Sequence, residues 1–181
     1  MSFFRLIHFT TALTIATAAI AASGCSDPAT PPPQGAFSAT LGGVTCPVSA
    51  NQRTIGVGKA TGQSKETIPD GESNTSVSCR VSADGETLSV QATIQSGSSS
   101  IFVQGTTSRE KGGTASISLT GPGLPSTLVL PSGQSCTLTL VDGASGKIWA
   151  GFECAGLDVQ GQFNSSCTVS EGWVVLENCD S

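Results

Sequence analysis

Leu88-Ser89-Val90-Gln91-Ala92-Thr93-Ile94-Gln95 alternates an apolar with a polar residue at every step. Successive side chains of a strand point to opposite faces, so this stretch predicts a strand with one dry and one wet side. The same period of two recurs at Phe37-Ala39-Leu41, Val77-Cys79-Val81, Ala115-Ile117-Leu119, Cys136-Leu138-Leu140, Ile148-Ala150-Phe152-Cys154 and Val159-Gly161-Phe163. Asp84-Gly85, Asp142-Gly143 and similar pairs supply turn signals between these runs. No stretch carries the 3.6-residue stripe of an amphipathic helix. About ten short strands, each apolar on one face, predict an all-β domain: an antiparallel β-sandwich or a small β-barrel.

Outward from that core signal, composition sets the surface. Charged residues make up only 12% of the 181 positions. Solubility therefore rests on Ser, Thr, Gln and Gly, and the wet faces should be neutral and polar. Thirteen acids and seven of the eight basic residues follow Cys25, with no basic run longer than Arg109 to Lys111. That balance argues against nucleic acid as a partner.

The first 24 residues read as a signal peptide: Arg5 in a short basic region, then an apolar, small-residue run from Thr10 to Ala22 without an acid. Ala22-Ser23-Gly24-Cys25 resembles the bacterial lipobox, with Ala22 where that family usually has Leu. The resemblance implies cleavage before Cys25, acylation (palmitate or similar) of that cysteine and membrane attachment in the cell envelope. Ser26 rather than Asp at the next position points to the outer membrane by the sorting rule of enterobacterial lipoproteins. Residues 25–35, with Pro28, Pro31, Pro32 and Pro33, read as a stiff polyproline II spacer, and residues 36–181 as a single β domain.

Cysteine parity agrees with the lipid. Of seven cysteines, one acylated at Cys25 leaves an even set, Cys46, Cys79, Cys136, Cys154, Cys167 and Cys179, for bridges in an oxidising compartment. Cys79, Cys136 and Cys154 share a face with the apolar residues of their strands and should lie inside. A hairpin of Ser135–Val141 and Lys147–Cys154 places Cys136 opposite Cys154, which predicts a bridge there. Six cysteines allow fifteen pairings, and spacing alone leaves the other four open; nearest-neighbour pairing would join Cys46 to Cys79 and Cys167 to Cys179.

Catalytic signals are sparse. The only His is His8, in the leader, so the mature chain lacks the commonest base of Ser-His and Cys-His sites. Ser108-Arg109-Glu110-Lys111 and Gly143-Ala144-Ser145-Gly146-Lys147 read as turns, not as a Ser-x-x-Lys nucleophile or a phosphate loop. Asp70-Gly71-Glu72 reads as a turn before it reads as a calcium site, and cysteine gaps of more than ten residues do not suit zinc. No catalytic residue, metal ligand or cofactor is assigned. Trp149 shares the outer face of its strand with Lys147 and Glu153, which makes it a candidate contact residue for a sugar ring or a partner, unless a loop packs over it. Trp173 alternates with Val175 and is expected to be buried.

Gly146 to Cys154, Cys167 and the terminal Val175-Leu176-Glu177-Asn178-Cys179 are similar to the C-terminal part of uncharacterised lipoproteins of myxobacterial type. That resemblance implies a secreted, disulfide-bonded domain and no assigned activity. The expectation is an envelope lipoprotein with a structural or binding role toward another envelope protein or a glycan. The alternative is a carbohydrate-binding module or tethered hydrolase built on Trp149 and nearby carboxylates.

Overall fold

The computed structural model describes residues 30–49 and 53–181; the leader expected over residues 1–24, Cys25 and the first part of the expected spacer lie outside them. The described residues contain no helix and form thirteen strands. In order these are β1 (Gln34–Gly42), β2 (Thr54–Val57), β3 (Lys59–Ala60), β4 (Lys65–Glu66), β5 (Ile68–Pro69), β6 (Thr75–Asp84), β7 (Thr87–Ser96), β8 (Ser99–Ser108), β9 (Gly112–Thr120), β10 (Leu128–Val129), β11 (Cys136–Ala144), β12 (Lys147–Val159) and β13 (Ser166–Glu177). The all-β, disulfide-bonded architecture read from the alternation is the one observed.

The long strands form one antiparallel sheet in the order β6-β7-β8-β9-β12-β13-β1-β2, with β10 and β11 sharing the slot between β9 and β12. The sheet curls around a single core, in which Phe37, Ile94, Ile101, Leu119, Leu138 and Phe152 are fully buried. One end of the sheet, β6, is met by the segment that follows β13. Arg80 pairs in parallel with Asp180, the Val81 N–H donates to the Asp180 carbonyl (2.8 Å) and the Gly146 N–H to that of Val81 (2.8 Å). The edge of β6 is therefore largely paired, which blunts it as a template for another chain.

Tight turns follow the expected chemistry at Gly85-Glu86 and Ser145-Gly146, each with a glycine at positive φ. Two expectations fail. Asp142-Gly143 is not a turn: β11 runs through it to Ala144, with a bulge between Leu140 and Asp142. Val159-Gly161-Phe163 is not a strand either. β12 ends at Val159, and Gly161 and Asn164 at positive φ turn the chain, so Phe163 projects almost wholly into solvent (98% exposed).

The bridges are Cys46–Cys167, Cys79–Cys179 and Cys136–Cys154. Cys136–Cys154 is as expected. Its Cα separation of 4.4 Å matches the narrow, non-hydrogen-bonded type of antiparallel pair, which brings opposed sulfurs within reach. Nearest-neighbour pairing of the other four is wrong, because the first and last long strands are partners. β1 lies against β13 with Gly42 opposite Thr168, so the loop after β1 delivers Cys46 to Cys167. The segment after β13 lies along β6 and delivers Cys179 to Cys79.

The last residues of the segment expected as a spacer are docked on the domain. β1 begins at Gln34, two residues before the boundary expected from the sequence, the Pro33 carbonyl accepts the Asp70 N–H (2.8 Å) and the Pro32 carbonyl accepts from Asn178 (3.3 Å).

Candidate functional site

The outer surface of the sheet is built in two ways. Over β12, β13 and β1 the outward residues include Trp149, Trp173, Val175 and Ala36, and the small β3–β4 hairpin covers them. Gly58, at φ 65°, bends the chain out of β2 and over this face; a Cβ there would sit 2.9 Å from that of Ala36. Ala36, Ala60 and Val175 are buried in a second, outer cluster, with both tryptophans packed against it.

Trp149 is therefore half-buried, as under a loop, rather than an open platform. Its indole N–H donates to the Thr61 carbonyl (3.0 Å), and Lys65 lies 6.0 Å above its ring. Trp173, expected to be buried, is half-buried; it lies across Gly151, where a Cβ would come within 3.2 Å of the ring, and donates to Glu171 (3.1 Å). The hollow beside Trp149 is about 10 Å³, about a single water molecule in size. The acids lining it, Asp142 and Glu177, are already engaged by Lys147 and Lys65. Glu153 is not among the residues lining that hollow.

Asp142 forms the densest charge contact of the domain. Partial burial alone would raise its carboxyl, but Lys147 (3.5 Å), the Gly143 N–H and Arg109 (2.8 Å) outweigh that and hold it below the usual carboxylate range. A carboxyl held low stays ionised at neutral pH, the opposite of what a general acid needs. Ser108-Arg109-Glu110-Lys111 is the β8–β9 turn: the Ser108 hydroxyl accepts the Lys111 N–H (3.3 Å). Asp70 likewise caps a turn, accepting the Val77 N–H on Oδ1 (2.7 Å). Among the described residues no three His, Cys, Asp or Glu side chains gather to hold a metal, and no helix is long and apolar enough to cross a membrane.

The other half of the outer surface is bare. Along β6 to β9 the outward positions fall in register as rows: Ser76-Gln95-Ser100-Thr120, Ser78-Thr93-Phe102-Ser118, Arg80-Gln91-Gln104-Ser116 and Ser82-Ser89-Thr106-Thr114. Apart from Arg80 and Phe102 every member is Ser, Thr or Gln. Two concavities, of about 260 and 240 Å³, lie on this face and share Arg80 and Gln91. Sequence reading passed this face over because hydroxyl-rich wet sides look alike; only the register shows that Arg80, Gln91 and Gln104 form a row next to Phe102.

A third surface lies at the end of the domain opposite Gln34. There the 43–46 loop and the β12–β13 turn, linked by Cys46–Cys167, present Val44 and Phe163 beside a concavity of about 730 Å³. No family model, curated protein or solved structure matches the chain.

Proposed function

We propose that this chain is a lipid-anchored protein of the bacterial cell envelope that acts through binding rather than catalysis: a disulfide-stapled β domain held close to a membrane by Cys25. The observation that carries the reading is the cysteine inventory. The three bridges engage all six cysteines after Cys25, so the seventh cysteine of the chain, at the lipobox-like Ala22–Cys25 segment, is the one left over for a lipid. Three internal bridges also suit an oxidising compartment. A binding role rather than a catalytic one is supported by the absence of His after residue 8, which removes the commonest general base. Multiple acyl chains provide stable attachment at about 0.8 kcal/mol per buried CH₂.

The test is Cys25→Ser in the full chain, expressed in a bacterium that processes lipoproteins. The variant is expected to lose incorporation of labelled palmitate and to move from the membrane pellet to the soluble exported fraction. A variant that stays in the membrane fraction with unchanged detergent partitioning would overturn the anchor.

A further inference from the structure

We infer that the groove on the outer face of β6, β7 and β8 is a binding site for an uncharged polysaccharide chain. This deepens the binding role proposed above and rests on it. The two concavities are neighbours that share Arg80 and Gln91 in their walls, with Gln104 lining one and Phe102 the other. Each Gln amide offers two donors and an acceptor, as a ring of alternating hydroxyls requires. Phe102 is half-buried and outward-facing, so its ring can cover the C–H face of a pyranose. Arg80 makes no ion pair or hydrogen bond through its side chain among the described residues, and its planar fork is free to donate to neighbouring hydroxyls.

Charge selects the ligand class. The groove holds one cation, Arg80, and one acid, Asp180, in a chain of net charge −5. A polyanion would meet too few cations and a polycation too few acids. An extended peptide would seek an unpaired strand edge, whereas this depression lies on a face and the β6 edge is engaged by the 179–180 segment. Side chains along each row recur at the interstrand spacing of about 4.8 Å, which suits a ligand that repeats along its own length.

The experiment is calorimetric titration of the full-length Cys25→Ser chain with cellohexaose, N-acetylchitohexaose, a hexameric polyguluronate and pentalysine. Saturable binding of at least one of the two uncharged hexasaccharides is expected, nearly independent of salt. Phe102→Ala and, separately, Gln91→Ala at an exposed position should each weaken it roughly tenfold, about 1.4 kcal/mol, with the circular dichroism spectrum unchanged, while Trp149→Phe leaves it intact. Absence of binding to both uncharged sugars, preference for either charged oligomer, or indifference to both groove substitutions overturns the proposal. Because the ligand is tested on a chain without its lipid, the outcome is separate from that of the anchor: released protein that ignores sugars rejects the groove alone, and sugar-binding protein that stays in the membrane rejects the anchor alone.

Discussion

One sheet carries two outer surfaces, covered over β12, β13 and β1 and bare over β6 to β9. The difference follows from which residues point outward. Where they are Ala36, Trp149, Trp173 and Val175, the chain supplies the β3–β4 hairpin, and Val174, Val175 and Leu176 become buried consecutively, as in a strand dry on both sides. Where they are Ser, Thr and Gln, the strands keep strict alternation and water covers them. Aromatic side chains thus mark the half used to hold the domain together, and the aromatic-poor half is the one left free for contact.

The largest test removes a link between the halves. Cys79–Cys179 joins β6 of the bare half to the segment after β13 across a sequence separation of 100, so Cys79→Ala with Cys179→Ala should cost about 4 kcal/mol in urea denaturation, by loop entropy. Cys136→Ala with Cys154→Ala, separated by 18 residues, should cost about 3 kcal/mol. The longer link should also matter for solubility, since it holds the C-terminal segment on the β6 edge. Equal losses, or less than about 1 kcal/mol for Cys79–Cys179, would mean that the hydrogen bonds of residues 179–180 close the sheet without it.

A smaller effect separates the two surfaces. Trp149→Ala removes half-buried aromatic area and the bond to Thr61 that holds the hairpin, and should cost about 2 kcal/mol, less than the full-burial range for such a change. Protease cleavage within residues 61–64 should quicken in the same variant. On the bare face, Gln91→Ala should stay within about 0.5 kcal/mol of the parent. A Trp149→Ala protein with parental stability and weakened capture of a partner would restore Trp149 as a contact residue.

Much of this was legible in the sequence, and the failures share one cause. Period-two runs located the strands because one-sided burial forces alternation, and Cys136–Cys154 was readable because a hairpin is local. The partnership of β1 with β13 has no local signature, so Cys46–Cys167 and Cys79–Cys179 were out of reach. The alternation sets Trp149 on the outer face, where it lies, but the hairpin above it comes from a segment some 88 positions earlier in the chain. Val159-Gly161-Phe163 imitated a strand because a turn can alternate by accident, and Gly161 was the residue that should have weighed against it.

The smallest test concerns the charges that join the halves at the surface. Asp142 on β11 receives Arg109 from the β8–β9 turn at 2.8 Å and Lys147 from β12 at 3.5 Å. Partial burial opposes ionisation, yet Lys147, the Gly143 N–H and Arg109 together lower the carboxyl in the folded protein. A native pKa below the unfolded value of about 3.9 means that the unfolded chain binds the proton more readily. The contribution is therefore fully present above about pH 5 and is lost as pH falls through the lowered native value. All three side chains are more than a third exposed, at 65% for Arg109, 51% for Lys147 and 42% for Asp142, so solvent screening limits the contribution to about 0.2 to 1 kcal/mol. Asp142→Asn should flatten the acid limb of the stability curve by that amount at low salt and by less at about 1 M salt, where the screening length is only about 3 Å. An acid limb identical to the parent's at low salt would show that the two halves meet there without electrostatic coupling.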